Sequence, residues 1–211
     1  MILFLDTVSP LPEFSLIEDN KIIYSKKILN NHLDKMSDCI IPAYIHLEKK
    51  FLVKKKLQCL ITNTGPGSYT ALRVGIAFLS GLSIAHKIDL IGVPCLDLYL
   101  YAIKQDQLHL SGIYIGSANN QNFIYFFDKK NGFISHKIEK NKNIARLENL
   151  SLKQIVTNIS PELIDRNLLK NINYIKINFS ELVKLNLTNI MSRPRKTIIE
   201  PIYISNNAIL N

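Results

Sequence analysis

The sequence predicts an α/β protein in which mixed sheets are flanked by helices. Short apolar runs at residues 2–5, 57–62 and 90–93 are typical of buried strands. A hairpin is predicted after the first run, because the strand-like segments 13–18 and 21–28 flank the turn residues Asp19 and Asn20. Helical periodicity follows between the later runs. A hairpin succeeded by alternating strands and helices is typical of a mixed sheet covered by helices.

Three helices are predicted in the first half of the chain. Apolar residues recur at helical spacing between residues 33 and 52, and Pro42 should bend or break this helix because it lacks an amide donor. A second helix is predicted over 69–86, and a short third one after Pro94. The order of elements over residues 1–106 is therefore β-β-β-α-β-α-β-α.

The second half, residues 107–211, opens on another predicted hairpin, as the first half does. Its strands are predicted at 111–117 and 122–127 around a polar turn at Asn119-Asn120, with a third strand at 133–138. A helix near 179–189 and a closing strand at 201–204 are also predicted. We therefore expect two lobes, 1–106 and 107–211, of which the second is the more degenerate.

Composition excludes several classes of protein. Of the 211 residues, 47% are hydrophobic, which excludes long disorder. The most apolar stretch, 74–85, is shorter than the roughly 20 residues that a membrane span needs, and the amino terminus lacks a basic leader, so we expect a cytoplasmic protein without a membrane partner. Three scattered cysteines fit neither a disulfide framework nor a zinc site. The net charge of +9 indicates either a solvated basic face or an RNA partner.

The most specific segment is a strand, a glycine-containing loop and a helix over residues 62–75. Gly65 and Gly67 permit a tight turn or a close backbone approach, and Ser68 and Thr70 are candidate N-caps. The segment lacks the lysine of a P-loop and the spacing of a dinucleotide-binding loop. Two interpretations stay open from the residues alone, namely plain structural capping and a weak anion site.

Small residues recur inside the predicted helix 69–86, at spacings of four. Gly75 follows Ala71, and Gly81 follows Ala77. A glycine inside a helix costs about 1 kcal/mol relative to alanine, so its presence needs a reason. The spacing leaves open two explanations, which are close packing on this chain's own sheet and a helix–helix interface with another subunit.

Residues 65–75, which read GPGSYTALRVG, resemble the G-P-G-S-F-T-G-L-R-I-G signature of the TsaB family. Matches to the same family lie in order along the chain, at LFLDT (3–7), SDCIIP (37–42), IGVPCL (91–96) and PIYI (201–204). The chain departs from the family at Met36, at Ala71, at Ser205 and in the segment 116–122 around Asn119-Asn120, where the family has other residues. The sequence is identified on these motifs as a divergent member of that family.

This resemblance implies the two-lobed fold of actin, Hsp70 and sugar kinases (the ASKHA fold). It also implies a non-catalytic subunit, or pseudoenzyme, that activates a TsaD-like catalytic subunit. That complex transfers a threonylcarbamoyl group to the adenosine next to the anticodon of tRNAs. A TsaE-like ATPase would join the complex, and the chain would contact tRNA as part of that complex. On its own, the chain could form a homodimer through the same surface.

The partner interface is expected on the two long helices and the glycine loop. Gly75, Ala77 and Gly81 would allow close approach of the partner's helices. The complete set of expected interface residues is Met36, Ile40, Tyr44, Gly65, Gly67, Ser68, Thr70, Arg73, Gly75, Ala77 and Gly81.

No catalytic residue, cofactor-binding residue or metal ligand is predicted. The five histidines lack ligand spacing, Ser68 is outside a G-x-S-x-G elbow, and Asp6 is expected to cap a turn rather than to hold a metal. Two alternatives to the subunit role remain. One is an independent nucleotide-binding enzyme of the ASKHA type, and the other is a free-standing tRNA-binding protein whose affinity would fall steeply with salt.

Overall fold

The computed structural model describes residues 1–31, 33–116, 122–128, 130, 132–138, 152–160, 162, 164 and 172–203. It contains two mixed sheets with helices packed on them. The strands are β1 Ile2–Asp6, β2 Glu13–Glu18, β3 Lys21–Lys27, β4 Cys59–Asn63, β5 Asp89–Val93, β6 Ser111–Ile115, β7 Asn122–Asp128, β8 Gly132–Ile138, β9 Gln154–Thr157 and β10 Asn173–Lys176. The α-helices are α1 Met36–Phe51, α2 Val53–Lys56, α3 Tyr69–His86, α4 Cys95–Leu100, α5 Phe179–Leu185 and α6 Leu187–Met191, and a 3₁₀ helix spans Gln105–Leu110.

The first sheet has the strand order β3-β2-β1-β4-β5. The hairpin strands run antiparallel, whereas β1, β4 and β5 run parallel. Strands β1 and β4 are buried along their whole length, and this burial explains why their sequences are continuous apolar runs. The alternating exposure of β3 fits its place at the edge of the sheet.

Helix α1 continues through Pro42, so the break that its proline allowed does not occur. The helix begins at Met36, three residues later than its apolar spacing suggested, and Leu33 lies outside it with 92% of its surface exposed. Helix α3 has the predicted bounds, and Lys87, which follows its last residue His86, is the C-cap with a positive φ of 54°. Together the two helices cover the first sheet with their apolar faces.

The second sheet has the strand order β10-β9-β6-β7-β8, with β6, β9 and β10 parallel. The single helix predicted near 179–189 is two helices, which meet at Asn186. Asn178 caps the first of them, since its side-chain oxygen accepts a hydrogen bond from the Glu181 amide at 3.1 Å.

The predicted closing strand at 201–204 is absent over residues 201–203, which are the part of it that the structure describes. The carboxyl-terminal segment instead follows the β5 edge as an irregular chain. Lys196 pairs with Leu90 across one isolated bridge, and the Ile202 amide donates to the Thr64 carbonyl at 2.7 Å. Pro201 cannot donate, so a regular ladder is not completed here. Ile204, Ser205 and the turn at Asn119-Asn120 lie outside the described residues.

One hydrophobic core joins the two sheets. It contains Phe4 and Ile61 of the first sheet together with Ile113 and Val156 of the second. The predicted boundary between residues 106 and 107 falls inside the 3₁₀ helix and stays a prediction. In the described part of the chain, none of the helices is long and apolar enough to cross a membrane.

Candidate functional site

The glycine loop between β4 and α3 is shaped by close contacts inside this chain. Gly65 has φ +105° and precedes a cis peptide bond to Pro66. A Cβ atom on Gly65 would lie 2.6 Å from the Ile202 carbonyl oxygen, and one on Gly67 would lie 2.9 Å from Cγ2 of Val8. Both glycines are therefore needed where the carboxyl-terminal segment and the β1 end pass directly over the loop.

Ser68 is the N-cap of α3, because its Oγ accepts the Ala71 amide at 3.5 Å. Thr70, the other candidate cap, is already inside the helix and is exposed. The structure therefore assigns Ser68 to helix initiation and leaves the Thr70 side chain on the surface.

Gly75 and Gly81 have different roles, which separates the two explanations of the small residues in α3. A Cβ on Gly75 would lie 2.3 Å from Cγ2 of Thr7 and 3.1 Å from Cδ2 of Leu5, so this glycine allows the helix to pack on its own sheet. A Cβ on Gly81 would meet no atom of the described part of the chain within 4 Å. Packing within the chain therefore explains Gly75 and does not explain Gly81.

The expected interface residues of α1 are turned largely inward. Met36 and Ile40 are buried in the core between α1 and the sheet, so little of their surface is available to a partner. Tyr44 is half-buried, and its ring lies edge-on to Phe78 of α3 with centroids 5.3 Å apart. Its hydroxyl is buried and has no hydrogen-bond partner among the residues that the structure describes, and this burial raises the pKa of Tyr44.

Two isoleucines that the sequence analysis did not single out are exposed on α1 instead. Ile41 and Ile45 have 54% and 46% of their surface exposed, and Ile41 lies about one helical turn before Tyr44. The sequence could have indicated their exposure, because helical spacing places both of them off the face of α1 that carries the buried residues Ile40 and Leu47.

Helix α3 carries an exposed stripe of its own, in addition to the exposed isoleucines of α1. We call the combined feature the small-residue surface. It consists of Ala77, Gly81, Ile84 and Ala85 of α3 with Ile41 and Ile45 of α1, all of them exposed. The spacing of three and four residues places the α3 members on one face of the helix.

Arg73 is also exposed, at the amino-terminal end of the same helix. Its guanidinium carbon lies 3.9 Å from the ring centroid of Tyr69, and its Nε donates to the Tyr203 hydroxyl at 2.8 Å. The hydrogen bond with Tyr203 raises the pKa of Arg73. Arg73 therefore fastens the carboxyl-terminal segment to α3.

Asp6 caps a turn at the end of β1, as the sequence predicted. Its Oδ1 accepts hydrogen bonds from the amides of Val8 at 2.9 Å and Ser9 at 3.1 Å, and from Nδ2 of Asn63 at 2.7 Å. Oδ1 of Asn63 in turn accepts hydrogen bonds from both the amide and the hydroxyl of Thr7. Within the described ranges, no group of three or more histidine, cysteine or acidic residues is arranged to hold a metal ion.

A cleft of about 510 Å³ opens between the two sheets, at the carboxyl ends of β1, β9 and β10. The first sheet supplies one wall and the second sheet the other. The polar and charged residues that line it are Asp6, Ser9, Glu13, Lys27, Asn158, Ser160, Lys176 and Asn178. Sequence reasoning did not single out Lys27, Asn158 or Lys176, because they are far apart along the chain.

Comparisons with known proteins place these features in a wider context. Residues 30–151 match the family model described as "TsaD: tRNA N6-adenosine threonylcarbamoyltransferase". Among solved structures, a Pseudomonas aeruginosa protein described as similar to the peptidase YeaZ has a TM-score of 0.61 at 13% identity, over 97% of this chain and 99% of that one. YeaZ from the same organism has a TM-score of 0.56 at 12% identity, over 96% and 99%. No curated protein matches the sequence. The structural likenesses identify the fold as ASKHA-like.

Proposed function

The chain belongs to the family of TsaD tRNA N6-adenosine threonylcarbamoyltransferases, as a TsaB-like protein, and from this premise we propose that it is a non-catalytic, activating subunit. The family membership assigns the chain to the tRNA threonylcarbamoyladenosine modification system. In the proposed role, the chain binds a TsaD-like catalytic subunit. A TsaE-like ATPase joins the two, and the resulting complex binds tRNA in the cytoplasm.

The observation that carries this proposal is the open space at Gly81. An exposed glycine in the interior of a long helix costs about 1 kcal/mol relative to alanine, and none of the residues that the structure describes uses the space that it leaves. A partner helix approaching the small-residue surface would use that space. Ile84, which is exposed on the same face of α3, would then be buried, which favours association.

The other expected interface residues support this surface in two ways. Gly65, Gly67, Ser68 and Gly75 set the position of α3 through contacts within the chain. Met36 and Ile40 hold α1 on the sheet from beneath, and Tyr44 fixes α1 against α3. We propose that Thr70 and Arg73 lie at the edge of the partner contact, since both are exposed on α3.

The geometry around Asp6 supports a non-catalytic role. In the ASKHA fold an enzyme needs an acidic residue free to act on magnesium-bound phosphates. Within the described ranges, Oδ1 of Asp6 accepts hydrogen bonds from the amides of Val8 and Ser9 in its own turn and from Asn63. These bonds show that Asp6 stabilises the turn at the end of β1.

Gly81→Leu tests the proposal. The side chain would project from the exposed face of α3 into open space, so the monomer should stay folded while partner binding falls at least tenfold. Thr188→Leu is the matched control, because it adds the same side chain to an exposed position of α6 in the second half. Gel filtration with the organism's TsaD-like protein measures complex formation, and circular dichroism checks folding.

Activity is measured with the TsaD-like protein, the TsaE-like ATPase, threonylcarbamoyl-adenylate and unmodified tRNA. We expect modification to require the wild-type chain and to be lost with Gly81→Leu but not with Thr188→Leu. Full binding by a folded Gly81→Leu protein would reject the interface. Equal modification without the chain would reject the subunit role. When the partner is absent, we expect a homodimer through the same surface, which the same substitution would dissociate.

The inter-sheet cleft favours one second candidate, an independent nucleotide-binding enzyme of the same fold. Such an enzyme would bind or hydrolyse ATP as a purified single chain. Calorimetry with ATP and magnesium distinguishes the two candidates, because the subunit proposal expects no turnover by this chain alone.

A further inference from the structure

We propose that Arg73, held against two tyrosine rings, binds a carboxylate side chain of the subunit that packs on α3. The site is the cluster of Tyr69, Arg73 and Tyr203, which we call the arginine–tyrosine cluster. The inference rests on the subunit role proposed above and adds the chemistry that the partner presents, namely an aspartate or a glutamate.

The arginine–tyrosine cluster orients the guanidinium before any partner arrives. The guanidinium carbon of Arg73 lies 3.9 Å from the centroid of the Tyr69 ring and 5.6 Å from that of the Tyr203 ring. The two rings are themselves 4.9 Å apart, and Nε of Arg73 donates to the Tyr203 hydroxyl at 2.8 Å. All three residues are nevertheless exposed. A long side chain that is already ordered loses less entropy when a partner binds it.

The charge of Arg73 is not balanced by a carboxylate in the part of the chain that the structure describes. Of the three arginines in that part, Arg193 pairs with Asp97 at 2.8 Å. Arg195 pairs with Asp89 at 2.7 Å. None of the ion pairs between described residues includes Arg73, whose contacts are with neutral tyrosines. Its Nη atoms carry the N–H groups that match a carboxylate in a bidentate fork.

The arginine–tyrosine cluster lies on the same face of α3 as the small-residue surface. Arg73 precedes Ala77 by four residues and Gly81 by eight, which is about 12 Å along the helix axis. A standard interface covers about 800 Å² on each partner, so a subunit that fills the space at Gly81 also reaches Arg73. A charge that is covered without a counter-charge strongly destabilises a complex. A carboxylate of the partner at this position removes that penalty.

The surroundings favour a carboxylate of a protein over a phosphate of RNA. Arg73 is the only residue of α3 that is an aspartate, glutamate, lysine or arginine. RNA binding neutralises several phosphates and needs several cations along one surface. The exposed neighbours of Arg73 on this face are tyrosine rings and small or apolar residues instead. Tyrosine and arginine are enriched at the hot spots of protein interfaces.

Arg73→Met tests the inference, because it removes the charge and keeps a long unbranched side chain. We expect the affinity for the organism's TsaD-like protein, measured by calorimetry, to fall at least about tenfold, as when one partner of an interfacial charge pair is truncated. Arg195→Met is the matched control. It removes the same charge from a pair inside this chain that also fastens the carboxyl-terminal segment, and it should leave the affinity unchanged. Circular dichroism checks that both variants are folded.

Arg73→Lys identifies the carboxylate. A carbodiimide joins an amine to a carboxylate in direct contact, so this variant should form a cross-link between position 73 and an aspartate or glutamate of the TsaD-like protein. Mass spectrometry locates the cross-link. A cross-link only to a second copy of this chain, or none at position 73, would overturn the inference.

The binding results separate this inference from the subunit role. If the wild-type chain binds and Gly81→Leu does not, wild-type affinity of a folded Arg73→Met protein overturns the carboxylate site alone. An equal loss with Arg195→Met would assign the effect to the carboxyl-terminal segment and overturn it too. Loss of tRNA binding with the partner affinity retained would assign Arg73 to RNA instead. If the wild-type chain does not bind the partner, the subunit role fails and this inference fails with it.

Discussion

At the scale of single residues, the two glycines of α3 show how identical chemistry serves opposite purposes. Gly75 faces the sheet, where Thr7 and Leu5 occupy the space that a side chain would need. Gly81 is exposed and has open space beside it. Their residue type and spacing are the same in the sequence, so only their surroundings separate a packing requirement from an available surface.

Substitution of each glycine by alanine should therefore change stability in opposite directions. Gly75→Ala should lower the free energy of unfolding by about 1–3 kcal/mol, because the new methyl group overlaps Thr7. Gly81→Ala should raise it by up to about 1 kcal/mol through helix propensity. Urea unfolding followed by circular dichroism measures both, and each variant is the control for the other. Equal effects in one direction would contradict the distinct environments.

At the scale of elements, α1 shows that packing can override a local signal. Pro42 is the seventh residue of this 16-residue helix and removes one amide donor, yet the helix continues to Phe51. Pro42 itself is exposed, whereas its neighbours Ile40 and Ala43 are buried against the sheet. The burial of one apolar face compensates for the missing hydrogen bond.

Pro42→Ala should consequently stabilise the protein by about 1–2 kcal/mol, because the restored hydrogen bond outweighs the greater freedom of the unfolded chain. Pro194→Ala is a suitable control. Pro194 is exposed in an irregular segment, so its replacement should lower stability by up to about 1 kcal/mol. Differential scanning calorimetry compares the two. A destabilised Pro42→Ala protein would show that the proline ring contributes more through its shape than it costs.

At the scale of the whole molecule, the two sheets share their core. Helix α5 follows the second sheet in sequence, yet it is joined to the first one, because Oγ of Ser180 lies 2.7 Å from Oγ of Ser15 in β2. Both serines are buried. The halves 1–106 and 107–211 that the sequence suggests are therefore coupled through packing and hydrogen bonds.

The full chain should unfold in a single cooperative transition as a result of this coupling. Circular dichroism and tyrosine fluorescence should give coincident midpoints. A fragment of residues 1–106 should fold poorly, since it would expose Phe4 and Ile61 without the residues of the second sheet that cover them. Two separate transitions, or a stable fragment, would instead support independent lobes.

Much of the architecture was determined by the sequence itself, through features that act locally. Buried apolar runs specify β1, β4 and β5, the Asp19-Asn20 turn with its positive φ angles specifies the hairpin, and the sequence also predicts α3 at about residues 69–86. The cap at Ser68 and the turn at Asp6 were likewise readable, because each depends on groups within three positions along the chain.

Tertiary structure alone decided how distant residues meet. It turned Met36 and Ile40 inward and left Ile41, Ile45 and Gly81 exposed. It also brought Asn158 and Lys176 to the same cleft as Asp6, more than 150 residues away. Periodicity identifies an apolar face but not what will cover it, and residue spacing does not encode which strand ends become neighbours. Those outcomes depend on how the two sheets pack, and the shared core sets that packing.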